Sequence, residues 1–141
     1  MKDLLTISYR SVSRLNDPVN DVLAILSESQ ARNRRLGVTG LLLYDGTYFM
    51  QTIEGPPDET GEVFVKIIED KRHHDVVPFG ISSIDARAFP DWQMKLIGPN
   101  ATRRILPDIG NFDFSDERLA EVHASAKIVA SRGLERSAQH S

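Results

Sequence analysis

Residues 38–55, VTGLLLYDGTYFMQTIEG, constrain this chain more than any other stretch. Two apolar runs flank Asp45-Gly46, a pair suited to a two-residue type I′ hairpin turn in which both central residues take φ > 0. With those two residues as the loop, Tyr44 faces Thr47, Leu42 faces Phe49, and Gly40 faces Gln51. Strand side chains alternate, so Leu42, Tyr44, Phe49, Gln51 and Ile53 share one face, and Leu41, Leu43, Tyr48 and Met50 the other. Both faces are apolar, so each must be covered. Gln51 lies in the middle of this layer with two amide donors and an acceptor, and an unpaired buried group costs roughly 1–3 kcal/mol. Gly40 opposite it leaves a gap. A polar group beside a gap in an apolar layer points to a bound ligand.

The remaining segments supply the covers. Residues 2–9 alternate as a strand, with Leu5, Ile7 and Tyr9 on one face and Tyr9 near its end. Asp17-Pro18 opens a helix running to about Arg35 and stopping at Gly37. Its apolar stripe is Val19, Val22/Leu23 and Leu26, and the same row extended meets Gln30 and Asn33. Asn33 is thus a second inward amide in want of a partner. Arg32, Arg34 and Arg35 crowd the helix end, where they answer either the helix dipole or an anion. A second helix spans 58–72, with Val63, Phe64, Ile67 and Ile68 as its buried face. Strands follow at 76–86 and 91–98, the latter with Trp92, Met94 and Leu96 on one side. The order β-α-β-β-α-β-β is that of an α+β, ferredoxin-like sandwich with both helices on one sheet face. Residues 99–132 form an irregular connector and a third helix from Ser115 or Asp116 to about Ser131. That helix carries Leu119, Val122, Ala126 and Val129 on one side, and is a candidate cover for the face bearing Leu43, Tyr48 and Met50. Residues 133–141 are expected to be a disordered tail.

A length of 141 residues suits one domain, here 1–98, plus that extension. No apolar run approaches the roughly 20 residues of a membrane span. The start, MKDLLTISYR, shows no signal-peptide pattern, and there is no cysteine, so a cytoplasmic protein without disulfide or thiolate chemistry is expected. A net charge of −3 argues against nucleic acid as the main partner. His73, His74, His123 and His140 show no metal-ligand spacing. Glu54 and Asp58 read as a strand end and a helix start.

In a ferredoxin-like fold the first and third strands are central neighbours, which brings Tyr9 beside Gln51 beneath the helix that carries Asn33. Four pieces carry a family resemblance: SYRS at 8–11, ARNRRLGVTGLLLYDGTYFMQTIEG at 31–55, EDKRH at 69–73 and RAFPDWQMKL at 87–96. In register over residues 1–98, they resemble the BLUF family, blue-light sensors that use a flavin, and in particular its short members without an output domain. The resemblance implies FAD, with FMN or riboflavin as alternatives, held without a covalent bond. It implies that Tyr9, Asn33 and Gln51 surround the isoalloxazine ring, with Gln51 between the Tyr9 hydroxyl and the flavin. Arg32 takes a neighbouring position and Ser11 one near Tyr9, while Asp70 and Arg72 match the ribityl and phosphate end. Trp92 and Met94 match a strand whose tryptophan and methionine compete for the place beside the glutamine.

The function so implied is a photoreceptor and not an enzyme. Strand five signals to the C-terminal helix or to an effector protein, and self-association follows from the thin cover on the second sheet face. Taken singly, Tyr9, Asn33, Gln51 and Trp92 are each ordinary core or helix-end residues. A competing reading is a small acylphosphatase-like hydrolase on the same fold, using Arg10 or Arg14 after the first strand. It lacks a glycine-rich phosphate cradle, and it places Asn33 on a helix where that chemistry wants a strand.

Overall fold

The computed structural model describes residues 3–140, and side chains as far as residue 132. Five strands, β1 (Leu4–Ser13), β2 (Thr39–Tyr44), β3 (Tyr48–Gly55), β4 (His73–Ile84) and β5 (Lys95–Ile97), form one sheet in the order β4-β1-β3-β2-β5. Helices α1 (Pro18–Leu36) and α2 (Pro57–Glu69) cover one face, and α3 (Pro99–Ile105) and α4 (Asp116–His140) close the other side. The α+β, ferredoxin-like sandwich expected from the element order is the observed fold. The tail expected over 133–141 falls on side chains, and in Ser141 on backbone, outside the described residues.

The hairpin faces follow strand parity. Leu42, Tyr44, Phe49 and Ile53 join Ile7, Val22, Val63 and Ile67 under α1 and α2. Leu41, Leu43 and Met50 join Phe79, Leu119, Val122 and Ala126 under α4. The register, however, is displaced. Tyr44 pairs with Phe49, Leu42 with Gln51 and Gly40 with Ile53, so Gly40 is not opposite Gln51. The loop is Gly46-Thr47, with φ 103° at Gly46 alone. Asp45 stays in negative φ because its Oδ1 accepts from the Thr47 and Tyr48 amides at 2.8 and 2.7 Å, moving the turn one residue on.

Other elements differ from expectation for local reasons. β1 runs four residues past Tyr9, because β3 and β4 supply partners as far as Val12 and Ser13, so Tyr9 sits mid-strand. β4 therefore begins at His73, which pairs with Ser13. Helix α1 is rotated from its expected stripe: Val19 and Leu23 are 72% and 54% exposed, while Val22, Ser29 and Asn33 are buried. The turn lets Gln30 Nε2 and Asn33 Nδ2 donate to the carbonyls of Met94 and Gln93, at 3.1 and 2.6 Å. Gly37, at φ 70°, ends α1 in the left-handed conformation that favours glycine. α2 stops at Glu69, and Ile68 faces solvent. β5 keeps only three residues and lies parallel to β2. The connector, expected to be irregular, contains α3 and a short 3-10 helix (Ile109–Asn111).

Candidate functional site

Tyr9 and Gln51 are cross-strand partners on the central strands and point to the α1/α2 face. The Tyr9 hydroxyl donates to Gln51 Oε1 at 2.5 Å, and Gln51 Nε2 donates to Met94 Sδ at 3.4 Å. All three side chains are buried. Burial, reinforced by the negative charge of Asp70, pushes the Tyr9 phenol above the ordinary tyrosine range, so it is protonated at rest. A neutral phenol donating to a carboxamide oxygen is the arrangement this geometry supports.

Trp92 and Met94 do not share a face. Met94 turns towards Gln51, while Trp92 crosses to the α4 side and stacks on Phe89, with centroids 5.5 Å apart and planes 10° off parallel. Residues 91–94 precede the short strand and do not keep its alternation, which is why the expected common row fails. Gly40 has its place here. A Cβ at that position would collide with the Thr52 carbonyl and lie 3.2 Å from Met94 Cε, so glycine lets the methionine approach.

Around this chain lies a partly open cleft between α1 and α2. Tyr9, Arg32, Leu42, Phe49, Gln51 and His73 line it. Of the lining residues, Arg32 carries buried Nε and Nη2 atoms without partners; the adjacent Asn33 Oδ1 and, farther along α2, Thr60 Oγ1 are also unpaired. Burial lowers the Arg32 pKa, against the favourable charges of Asp70 and Glu28. At the mouth, Arg72 holds Asp70 and Glu28, each at 2.7 Å, and so ties α1 to the loop after α2. Burial opposes the Asp70 charge, but the Arg72 hydrogen bonds outweigh it and hold that carboxyl below its ordinary value.

Ser11 lies one residue beyond contact with this chain and acts on its neighbour. Its hydroxyl meets His73 Nδ1 at 2.7 Å, and His73 Nε2 meets the Ile67 carbonyl at 2.6 Å. A carbonyl only accepts, so Nε2 carries the proton and, in the neutral ring, Ser11 donates to Nδ1. The imidazole stands edge-on to Tyr9, 5.8 Å away. The sequence shows no metal-ligand spacing around His73 and places it before the fourth strand; its role comes from the register that sets it opposite Ser13 at the start of β4.

Glu54 also has a role beyond the strand end that the sequence suggests. It is 1% exposed, and its carboxylate accepts from the Ala88 and Phe89 amides at 2.9 and 2.5 Å, which fixes the loop leading to Trp92 and Met94. Parity was the available signal, since Thr52 and Glu54 are polar on the face that carries Met50. Arg10, a candidate of the hydrolase reading, points away from the cleft. It donates to the Ile109 and Gly110 carbonyls and lies over the Phe114 ring at 5.0 Å. Among the described residues no group of metal-ligating side chains occurs.

The comparisons agree with one another. A family model described as "BLUF: Sensors of blue-light using FAD" matches residues 4–95. The solved dark-state structure of BlrB, a BLUF protein, is similar at TM-score 0.81 and 44% identity, over 92% of this chain and 97% of that one. BlrP1 of Klebsiella pneumoniae, solved with FMN and cyclic diGMP, is similar at TM-score 0.63 and 33% identity, over 67% of this chain and 26% of that one. The photoactivated adenylate cyclase subunit beta of Euglena longa is 38% identical over 94 residues, 64% of this chain but 11% of the cyclase subunit. The chain therefore spans only a small part of that curated relative. With the family model matched over β1 to β4 and both cleft helices, this chain belongs to the BLUF family of blue-light sensors that use FAD.

Proposed function

We propose that this chain is a blue-light switch whose moving part is the Tyr9–Gln51–Met94 chain and whose flavin lies in the α1/α2 cleft. The observation that carries the reading is the match between the orphaned atoms and an isoalloxazine edge. Asn33 Oδ1 lacks a donor and Arg32 Nε and Nη2 lack acceptors, while such a ring offers one N–H and two carbonyl oxygens. Asn33, Arg32, Tyr9 and Gln51 would hold the ring, with Asp70 and Arg72 towards the polar chain and Ser11 bracing His73 beside it. FAD is the flavin of the family, and FMN or riboflavin carries the same ring.

When bound, the flavin supplies absorption of blue light and an oxidising excited state. Tyr9 is placed to give up an electron, after which its phenol becomes strongly acidic and its proton passes to Gln51 Oε1 along the 2.5 Å hydrogen bond. Gln51 then tautomerises or turns end for end. Return of electron and proton restores Tyr9 and leaves Gln51 as its tautomer or, once turned, with Nε2 where Oε1 stood. Met94 Sδ has no proton to give to an amide oxygen, so the turned carboxamide loses its methionine partner. The net chemistry is zero, and the product is a rearranged hydrogen-bond network. That makes the protein a switch and not an enzyme, acting on a two-state element.

The same reading takes residues 1–98 as the sensor and 99–132 as its transmitting extension, in a cytoplasmic setting, with self-association and an effector protein downstream. No described helix is long and apolar enough to cross a membrane. The hydrolase alternative has nothing to favour it, because Arg10 is engaged on the opposite face. A dark-minus-light absorption spectrum of the purified protein tests the reading. We expect a small reversible red shift, lost in Tyr9→Phe and in Gln51→Leu with flavin still bound. A normal shift in Gln51→Leu would refute the mechanism.

A further inference from the structure

Behind the photoactive pair, on the other side of the sheet, runs a second buried chain. Ser8 and Thr52 form the cross-strand pair next to Tyr9 and Gln51, and parity turns them to the α4 face. Their hydroxyls meet at 2.8 Å, and Thr52 Oγ1 meets His123 Nε2 of α4 at 2.8 Å. Ser8 and Thr52 are 1% and 3% exposed. The rest of α4 meets the sheet through the apolar side chains Leu119, Val122, Ala126 and Ala130. Among the described residues, His123 makes the one side-chain hydrogen bond between α4 and a strand.

A second line of contact reaches the same imidazole. The His123 ring stands edge-on to Phe89 at 4.9 Å and 79°. Phe89 is pinned through its amide to Glu54 and stacks on Trp92, two residues before Met94. The Trp92 carbonyl also accepts from the Gly40 amide at 2.9 Å, which ties the segment to β2. His123 thus touches one residue covalently next to Gln51 and one stacked on the segment that positions Met94. Those are the two groups whose contact the light reaction changes.

We propose that His123 is the positioning residue through which α4 reads the Gln51–Met94 contact, by Thr52 on one side and Phe89 on the other. The proposal rests on the photoswitch reading above. A turn of Gln51 shifts its own strand backbone and that of Thr52. Release of Met94 frees the segment of Trp92 and Phe89. Either motion disturbs a hydrogen bond and a ring contact that hold one imidazole in one orientation, and among the described residues α4 has no other side-chain hydrogen bond to a strand with which to compensate. Coupling of this kind is reciprocal, so what loosens His123 also alters the stability of the lit state.

The test uses the full chain with flavin bound. Amide hydrogen exchange over residues 116–132 and the His123 imidazole NMR signals are recorded in the dark and under blue light, beside the absorption shift. We expect light to change both in the native protein. Thr52→Val keeps the side-chain shape and removes the hydroxyl; it should keep the red shift but lose the α4 exchange response and change the dark-recovery rate. His123→Phe should do the same. Imidazole signals unmoved by light in the native protein overturn the proposal without any variant, as does a full α4 response in Thr52→Val. A native protein without a red shift overturns the photoswitch and this coupling together, whereas a red shift with a silent α4 overturns only the coupling.

Discussion

The two faces of the sheet are built to different degrees of completion. On the α4 face, buried polar side chains have their partners: Ser8 with Thr52, Thr52 with His123, Glu54 with two amides, Thr102 with the Ile97 carbonyl. The Nε of Arg10 is the exception there, on a guanidinium already held by two carbonyls and two rings. On the α1/α2 face, among the described residues, Arg32, Asn33 and Thr60 carry four buried atoms with no partner, and Arg32 lines an open cleft. Folded proteins rarely leave such groups unpaired. The α4 face is therefore finished by folding, whereas the α1/α2 face keeps unpaired groups at the cleft proposed for the flavin.

The largest expected effect tests the finished face. Leu41 is wholly buried under α4, and Leu41→Ala should cost about 2–5 kcal/mol in urea unfolding, equally with and without flavin. A cost that depended on flavin would break the separation of the faces. Next comes pH. Burial, helped by the Lys127 charge, holds the His123 imidazole down at about 4 from an ordinary 6.5. The unfolded chain then binds more protons between those values, so the stabilisation is complete above pH 6.5 and is lost as pH falls towards 4. The full loss amounts to about 3–4 kcal/mol. Unfolding midpoints at pH 7 and pH 5 should converge less steeply in His123→Asn, and an unchanged slope would count against a buried neutral imidazole. Slightly smaller is the effect of the ligand itself. At free flavin a hundredfold above its Kd, stability should rise by about 2.7 kcal/mol and the melting temperature should follow flavin concentration.

Both faces were legible in the hairpin, since parity alone separates Leu42, Phe49 and Gln51 from Leu41, Leu43 and Met50. Asn33 was legible as an inward amide, and Tyr9 as a neighbour of Gln51 once the strand order was known. Three things were not. The hairpin register depends on where Asp45 sends its side chain, because either 45–46 or 46–47 can make a two-residue loop containing Gly46. The split of Trp92 from Met94 depends on a segment that leaves the strand just there. The bond of His123 to Thr52 spans 71 residues, so no local pattern records it. What a sequence shows at short range is periodicity and turn chemistry, and each of these three is settled at long range.

The smallest effect is the most discriminating, because its sign should change with the ligand. Arg32→Met keeps a long, flexible side chain and removes the orphaned Nε and Nη2. Without flavin, deleting donors that have no acceptor should leave stability unchanged or raise it by up to about 1 kcal/mol. With flavin, the same change removes charge-assisted hydrogen bonds and should weaken binding by roughly 1.5 kcal/mol, about tenfold in Kd. Flavin titration followed by fluorescence quenching gives the second quantity, and urea unfolding of the flavin-free protein the first. Equal destabilisation of both forms would make Arg32 part of the folded scaffold, and the unpaired groups beside the cleft would then reduce to Asn33 Oδ1.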